Sequence, residues 1–356
     1  MAGPDSARLQ VGWDIGGAHV KACLLADGAL RDVAQWPCPL WQGMEHLEGA
    51  LGLARARWSS DWHAGMHHAA TMTGEMVDLF PDRAQGVARI ATQLAESLGP
   101  SLRLFDGDGA WRAPHEAARA WRGIASANWQ ATAQVLAGRV GNAVLVDIGS
   151  TTTDLIALRG GHVAARGSSD AERLQSGELV YQGVVRTPLC ALGPRVSWRG
   201  RSVNLMNEFF ATTADVYRLT GELTAAHDQS PAADNGGKDQ RGTHARLARM
   251  VGRDAADADS DEWLALARCW KDAQLAEIQG QLQRVCADAR LPDDAPVIGA
   301  GCGSFLAAQL AQRCGRPFRR YAEVALPALP ADRALAAWAD VCAPAVSVAL
   351  LACARD

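Results

Sequence analysis

The sequence predicts an α/β protein of two similar domains with a ligand cleft between the duplicated halves. Three observations carry that expectation. A strand–turn–strand–strand unit opens the chain and recurs about 130 residues later, an internal repeat of whole-domain scale. In both copies the first strand ends in an acidic glycine turn, Asp14-Ile15-Gly16-Gly17 and Asp147-Ile148-Gly149-Ser150. Late in the chain a third apolar strand runs through Gly299-Ala300-Gly301-Cys302-Gly303 into a helix that starts at Ser304.

The elements follow in order. Residues 9–25 read as strand, glycine turn and returning strand, with a third strand over 30–36. Residues 45–58 have helical apolar spacing. A strand over 67–71 runs into the loop Thr73-Gly74-Glu75, and 83–98 is helical. A short strand, 102–105, ends in the turn signal Asp106-Gly107-Asp108-Gly109. Residues 114–136 are largely helical, with a break at 126–129. The opening pattern then returns: strand 142–146, polar turn 147–153, strands 155–158 and 162–166. This places a first domain at 1–140 and a second at 141–333, with a C-terminal helix, 334–356, packing back on the first. The second half is richer in helix. Residues 203–219 are amphipathic. Residues 227–242 are polar and aperiodic, a loop of the length that often serves as a lid. Ser260 reads as an N-cap, with Asp261 and Glu262 in the first turn. Beyond it Trp263, Leu266, Trp270, Leu275, Ile278, Leu282 and Val285 form a core stripe at helical spacing.

Composition narrows the function classes. The chain has 356 residues, enough for two ordinary domains, and 48% are hydrophobic. A net charge of -4 offers no general attraction to nucleic acid or an anionic membrane, so any anion must be held by local geometry. The nine Cys are odd in number and none has C-x-x-C spacing, which fits reduced thiols in a cytoplasmic protein. The first ten residues lack the basic-then-apolar pattern of a signal peptide. The longest apolar run, 343–354, spans about a dozen residues against the roughly 20 that cross a bilayer, and reads as a buried helix. His63, His67 and His68 do not form a metal-ligand pattern. The 12 Trp are spaced as core or interface residues and are compatible with a homodimer.

The chemistry is expected at the glycine turns. Asp14 ends a buried strand, Gly16 and Gly17 turn the chain, and Lys21 lies on the return. Side chains alternate along strands, so Asp14 and Lys21 can both face the turn. Glycines let backbone N–H groups approach an oxyanion as a nest. Asp14 can hold Mg²⁺ directly or through water, and Lys21 can neutralise phosphate charge. Asp147 repeats the acidic role, and Gly149, Ser150, Thr151 and Thr152 add backbone and hydroxyl donors. Two such loops, facing one another, would clamp a diphosphate. Gly299, Gly301 and Gly303 open a helix where an anion or nucleoside can sit. Asn128 and Trp129 are placed in a cleft loop, where Trp129 could stack on an aromatic substrate or simply pack. The Arg246 to Arg253 cluster reads as a solvated helix face or an anion clamp.

In this order and spacing the three turns resemble the phosphate-1, phosphate-2 and adenosine motifs of the actin, sugar-kinase and chaperone-ATPase superfamily, over nearly the whole chain. Together with Thr71-Met72-Thr73-Gly74-Glu75-Met76 they look like the hydantoinase/oxoprolinase branch. The stretches Val184-Val185-Arg186-Thr187-Pro188-Leu189, Glu208 to Tyr217 and Arg246 to Asp254 are similar to members tied to tetrahydromethanopterin-linked one-carbon transfer. Those members are in turn similar to the archaeal synthase of the furan–phenol ether of methanofuran.

The resemblance implies a two-domain actin-like (ribonuclease H-like) ATPase fold. It implies a transferase that joins an aminomethylfuran-methyl diphosphate to a phenol, with Mg²⁺ and release of diphosphate. Its partners would be small-molecule diphosphate and phenolic substrates. Asp14, Lys21, Asp147 and Glu75 would be catalytic, and Glu75, His19 and Asp154 are open alternatives for a base. The third turn, Gly-Ala-Gly-Cys-Gly, departs from the Gly-Gly pair that lies flat on adenine in ATP-binding members. A ligand with a diphosphate and no adenosine is compatible with that departure. An ATP-dependent kinase or amidohydrolase, or a non-catalytic nucleotide-binding scaffold, are the other readings.

Overall fold

A computed structural model describes residues 7–63 and 65–354. Part of the signal-peptide reading falls on Met1–Ser6, and the end of the C-terminal helix reading on residues 355–356, outside the described residues. The chain divides into two compact units. One comprises Met1–Gly141, Leu158–Val163 and Arg320–Asp356; the other comprises Asn142–Ala157 and Ala164–Arg319.

The first unit opens with β1 (Leu9–Ile15), β2 (His19–Ala26) and β3 (Ala29–Pro37), followed by α1 (Glu45–Arg57), β4 (His67–Met72), α2 (Arg83–Leu98), β5 (Leu102–Phe105), β6 (Trp111–Arg112), α3 (Ala117–Ile124) and α4 (Asn128–Ala137). Its sheet has the order β3-β2-β1-β4-β5-β6. Every residue of β1 is buried, as expected for a central strand covered on both faces. Trp13 packs edge-on to Trp58 and Trp62. A Cβ at Gly12 would lie 2.0 Å from the Ala345 carbonyl oxygen, so glycine is required for close approach of the C-terminal helix. The break expected at 126–129 is the junction of α3 and α4, where Ser126 takes φ 51°.

The chain continues with β7 (Ala143–Ile148), β8 (Thr153–Arg159), β9 (His162–Val163), α5 (Asp170–Ser176), β10 (Leu179–Val180), β11 (Arg195–Trp198), β12 (Arg201–Asn204), α6 (Thr213–Leu219), α7 (Gln240–Met250), α8 (Ser260–Asp288), β13 (Val297–Ala300), α9 (Ser304–Arg313) and β14 (Phe318–Arg320), all in the second unit except β9, the end of β8 and Arg320. The main sheet of the second unit runs β10-β8-β7-β13-β14. All seven residues of the expected α8 stripe are buried. The chain ends with α10 (Tyr321–Ala325), α11 (Arg333–Val341) and α12 (Ala343–Cys353). Residues 343–349 of α12 are buried and carry no charge, as suits a helix that is apolar all round. Among the described residues no single helix is long and apolar enough to cross a membrane; α11 and α12 reach that length and composition only together, bent by 94°.

Four readings need correction. The amphipathic stretch 203–219 is helical only in α6, because β12 pairs with β11 and consumes its first residues. The strand read at 162–166 is two residues long. The N-cap of α8 is Asp259, which accepts from the Glu262 N–H at 2.9 Å; Ser260 is the first helical residue. Arg246 is neither a solvated face nor an exposed anion clamp. It is fully buried, 2.8 Å from the fully buried Asp215 and 3.0 Å from Asp234. Those pairs also pin the 227–242 stretch. Asp228 there accepts from Arg218 at 2.6 Å and Lys238 at 3.1 Å, so the segment is strapped down by ion pairs.

Candidate functional site: two acidic glycine turns

The first turn lies at the carboxyl ends of β1 and β4. Asp14 is 5% exposed and stands in register with Lys21 on antiparallel β2 and with Thr71 on parallel β4. Residues in register on neighbouring strands share a face, so a carboxylate, an ammonium and a hydroxyl meet there. The Thr71 hydroxyl is buried and has no hydrogen-bond partner among the described residues. The turn closes when the Gly16 N–H donates to the His19 carbonyl at 2.9 Å, and the Thr73 N–H donates to the Ile15 carbonyl at 2.9 Å. A Cβ on Gly17 would sit 2.7 Å from Val77 Cγ1, which leaves room for glycine alone.

Glu75 lies deeper, at 1% exposure. Its Oε1 accepts from the Ser126 hydroxyl at 2.9 Å, and a Cβ on Gly86 of α2 would lie 2.6 Å from its carbonyl oxygen. Ser126 pays backbone strain for that contact, since a non-glycine residue at φ 51° is disfavoured. In the sequence Ser126 marks only a helix break; its partnership with Glu75 spans the fold and has no local signal. His19 is buried on β2. Asn128 starts α4, with its own Oδ1 accepting from the Trp129 N–H at 2.8 Å. Trp129 is 4% exposed, so its ring is packed inside.

The second turn lies at the end of β7. Asp147, Gly149, Ser150, Thr151 and Thr152 are all half-buried, as Gly16 and Gly17 are, whereas Asp14 is buried. The Gly149 N–H donates to the Thr152 carbonyl at 2.8 Å, and the Ser150 and Thr151 hydroxyls lie 3.4 Å apart. Residues 183–186 lie across this loop. The Val184 N–H donates to Gly149 at 3.0 Å, and the Val185 and Arg186 N–H groups share the Ser150 carbonyl at 3.1 and 2.9 Å. A Cβ on Gly183 would meet the Thr151 nitrogen at 2.5 Å. This apposition brings the Arg186 guanidinium 3.5 Å from the Thr151 hydroxyl. Burial pushes the Arg186 pKa below the usual arginine range. Asp154 is taken out of the list of bases: the buried Arg173 donates to its Oδ1 at 2.5 Å, bracing β8 against α5.

The third turn backs the second. Gly301, at φ 80°, would place a Cβ 2.2 Å from the Ile148 carbonyl oxygen and 2.5 Å from Asp147 Oδ1. The Gly303 N–H donates to Ile148 at 2.8 Å, and a Cβ there would meet Ile148 Cγ2 at 2.5 Å. A Cβ on Gly299 would strike the Phe318 ring at 2.6 Å. The side left bare by each of these glycines is therefore filled by protein.

A hard divalent cation such as Mg²⁺ prefers oxygen ligands, keeps several waters, and is held through one or two carboxylates plus substrate phosphates. Asp14 and Asp147, each at the edge of a glycine turn, fit that donor chemistry. Among the described residues no three His, Cys, Asp or Glu side chains converge as a cage.

Residues 67–324 match the model of the hydantoinase/oxoprolinase family. The chain belongs to the hydantoinase/oxoprolinase family. Its relatives include the (4-{4-[2-(gamma-L-glutamylamino)ethyl]phenoxymethyl}furan-2-yl)methanamine synthase of Methanocaldococcus jannaschii, 28% identical over 293 residues, 82% of this chain and 86% of that one. A synthase of the same name from Methanococcus vannielii is 33% identical over 126 residues, 35% of this chain and 56% of that one. Among solved structures, nucleotide-free acetone carboxylase superposes with a TM-score of 0.56 at 10% identity, over 87% of this chain and 68% of that one. Component A of (R)-2-hydroxyglutaryl-CoA dehydratase from Acidaminococcus fermentans gives a TM-score of 0.47 at 9% identity, over 98% and 99%. The likeness to acetone carboxylase is one of fold, a mixed α/β arrangement with a large sheet in each unit.

Proposed function

We propose that the protein is a cytoplasmic transferase of methylofuran (methanofuran-type) biosynthesis, which condenses an aminomethylfuran-methyl diphosphate with the phenol of a tyramine or tyrosine derivative. The observation that carries this reading is the 28% identity over 82% of the chain to a synthase whose name describes a phenoxymethyl-furan methanamine. The two acidic glycine turns supply the matching chemistry. A C–O bond forms between the phenol oxygen and the furylmethyl carbon, and the C–O bond to diphosphate breaks. Diphosphate leaves with the bonding pair, while the furan oxygen donates into the developing cation. The phenol, with a pKa near 10 when unperturbed, gives up its proton to a base. Glu75 is the base this reading assigns, since Ser126 fixes its carboxylate and Asp154 is already paired with Arg173.

Mg²⁺ bound at the Asp14 turn or at the Asp147 turn would offset the charge that builds on the leaving diphosphate. Lys21, the Gly17 N–H and the hydroxyls of Ser150, Thr151 and Thr152 would hold the phosphate oxygens in place before reaction, while the Gly16 and Gly149 N–H groups close their own turns on the His19 and Thr152 carbonyls. Donors set in advance need no reorganisation as charge develops.

A thermal-shift comparison with Mg²⁺ tests the ligand class. A ligand at 100 times its Kd stabilises the native state by about 2.7 kcal/mol. The furan diphosphate and inorganic diphosphate are expected to raise the melting temperature and ATP to leave it unchanged. Stabilisation by ATP alone would replace this reading with an ATP-driven reaction on the same loops.

A further inference from the structure

The first acidic turn has its cation built in, with Lys21 in register opposite Asp14. The second turn has hydroxyls on the loop itself, and its cation comes from a different segment. Residues 183–187 are held over the loop by a buried network. The Gly183 carbonyl accepts from the Thr213 hydroxyl at 2.9 Å, from Gln274 Nε2 at 3.0 Å and from the Thr187 hydroxyl at 3.2 Å. Gln274 is in turn fixed by the Tyr217 hydroxyl at 2.6 Å. Thr213, Tyr217 and Gln274 are all fully buried. Three donors on one carbonyl lock Gly183, and Gly183 is wedged against the Thr151 nitrogen. The Arg186 backbone is tied to Ser150, so its guanidinium emerges beside the Thr151 hydroxyl. A backbone held this way keeps the guanidinium within reach of the loop, and guanidinium presents a planar fork that matches phosphate oxygens.

We infer that Arg186 and Thr151 form a phosphoryl-anion subsite at the second glycine turn, which takes one phosphate of the diphosphate ester. The inference rests on the transferase reading for the identity of that ester. Arg186 is the second turn's counterpart of Lys21. Tyr217, Gln274 and Thr213 are positioning residues, acting through Gly183.

Calorimetric titration of the full-length protein with inorganic diphosphate and Mg²⁺ tests this. Arg186→Gln is expected to weaken binding by about 10- to 100-fold, the range of a charge-assisted hydrogen bond, with the melting temperature held. Arg186→Lys should recover part of the loss, because it restores charge without the fork. Arg195→Gln, which removes a charge from the exposed β11–β12 hairpin, should bind as wild type. Thr151→Ala leaves the arginine in place and should cost a few-fold. It decides the matter if Arg186→Gln melts lower: wild-type affinity in Thr151→Ala would then overturn the subsite. Equal diphosphate affinity in wild type and a folded Arg186→Gln overturns the subsite and leaves the transferase reading intact. Binding of ATP but not diphosphate, lost in Arg186→Gln, keeps the subsite and removes the transferase reading. No binding of any of these phosphates by wild type overturns both.

Discussion

The two acidic glycine turns share a plan and differ in how they are finished. In the first, Asp14 is 5% exposed, Gly17 is pressed against Val77, and the adjoining cation, Lys21, is on the next strand. In the second, Asp147 and the loop Gly149 to Thr152 are half-buried, and the adjoining cation, Arg186, arrives from a segment laid across the loop. A duplicated strand-and-turn unit thus kept its acid and its glycine while each copy found a different source of positive charge. What repeats is the backbone that makes a nest; what diverged is the side chemistry around it.

The largest effect expected from this comparison is on turnover. Asp147→Ala should lower kcat by roughly 10³-fold with little change in melting temperature, because the side chain is half-exposed. Asp14→Ala should lose a similar amount of activity and some stability as well, since Asp14 is buried. Steady-state assays beside thermal melts separate the two. Full activity in either variant would remove that carboxylate from the site.

Next comes the backing of the second turn. Gly301→Ala forces a positive φ on alanine and a Cβ 2.2 Å from a carbonyl oxygen. Denaturant unfolding should show a loss of about 3 kcal/mol. Gly149→Ala is its contrast: the nearest atom to a new Cβ is the Thr152 carbonyl oxygen at 3.5 Å. Its cost should stay below about 1 kcal/mol, so a loss of diphosphate binding without a lower melting temperature would come from the added methyl at the loop rather than from unfolding. Equal costs at both positions would contradict the packing described.

A smaller effect sharpens the picture behind the first turn. Trp13, next to Asp14, donates through Nε1 to His68 Nδ1 at 3.3 Å. Burial, with His67 and Arg55 nearby, pushes the His68 pKa down from 6.5 to about 4. The unfolded chain therefore binds a proton first as pH falls. The stability tied to neutral His68 is fully present above pH 6.5 and is lost as pH falls toward about 4. Its size is about 3 kcal/mol, and His68→Gln should flatten the urea midpoint over that window. An unchanged pH profile in His68→Gln would show that another group titrates there.

Most of the fold was legible because its signals are local. The repeat, the buried strands ending at Asp14 and Asp147, and the α8 stripe all follow from periodicity and glycine placement. What the sequence hid depends on contacts between distant segments. Arg186 lies 35 residues beyond Thr151, and nothing in its local pattern says that it meets the loop. Ser126 and Glu75, 51 residues apart, are the same case. Arg246 looked like surface because arginine on a helix usually is; only the fold reveals Asp215 and Asp234 waiting for it. The 227–242 segment read as a lid from composition alone, and its Asp and Lys residues prove to be the straps that hold it. The third glycine turn was legible as a turn, but its fit against Asp147 and Ile148 was not.

The proposed reaction joins a furylmethyl carbon to a phenol oxygen with loss of diphosphate. It is tested most directly by incubating the protein with aminomethylfuran-methyl diphosphate, γ-glutamyltyramine and Mg²⁺. Diphosphate release and the mass of the organic product are followed together. One diphosphate is expected per ether formed, with neither produced by Asp147→Ala. Diphosphate without ether, or no turnover of the furan substrate while ATP is consumed, would contradict it.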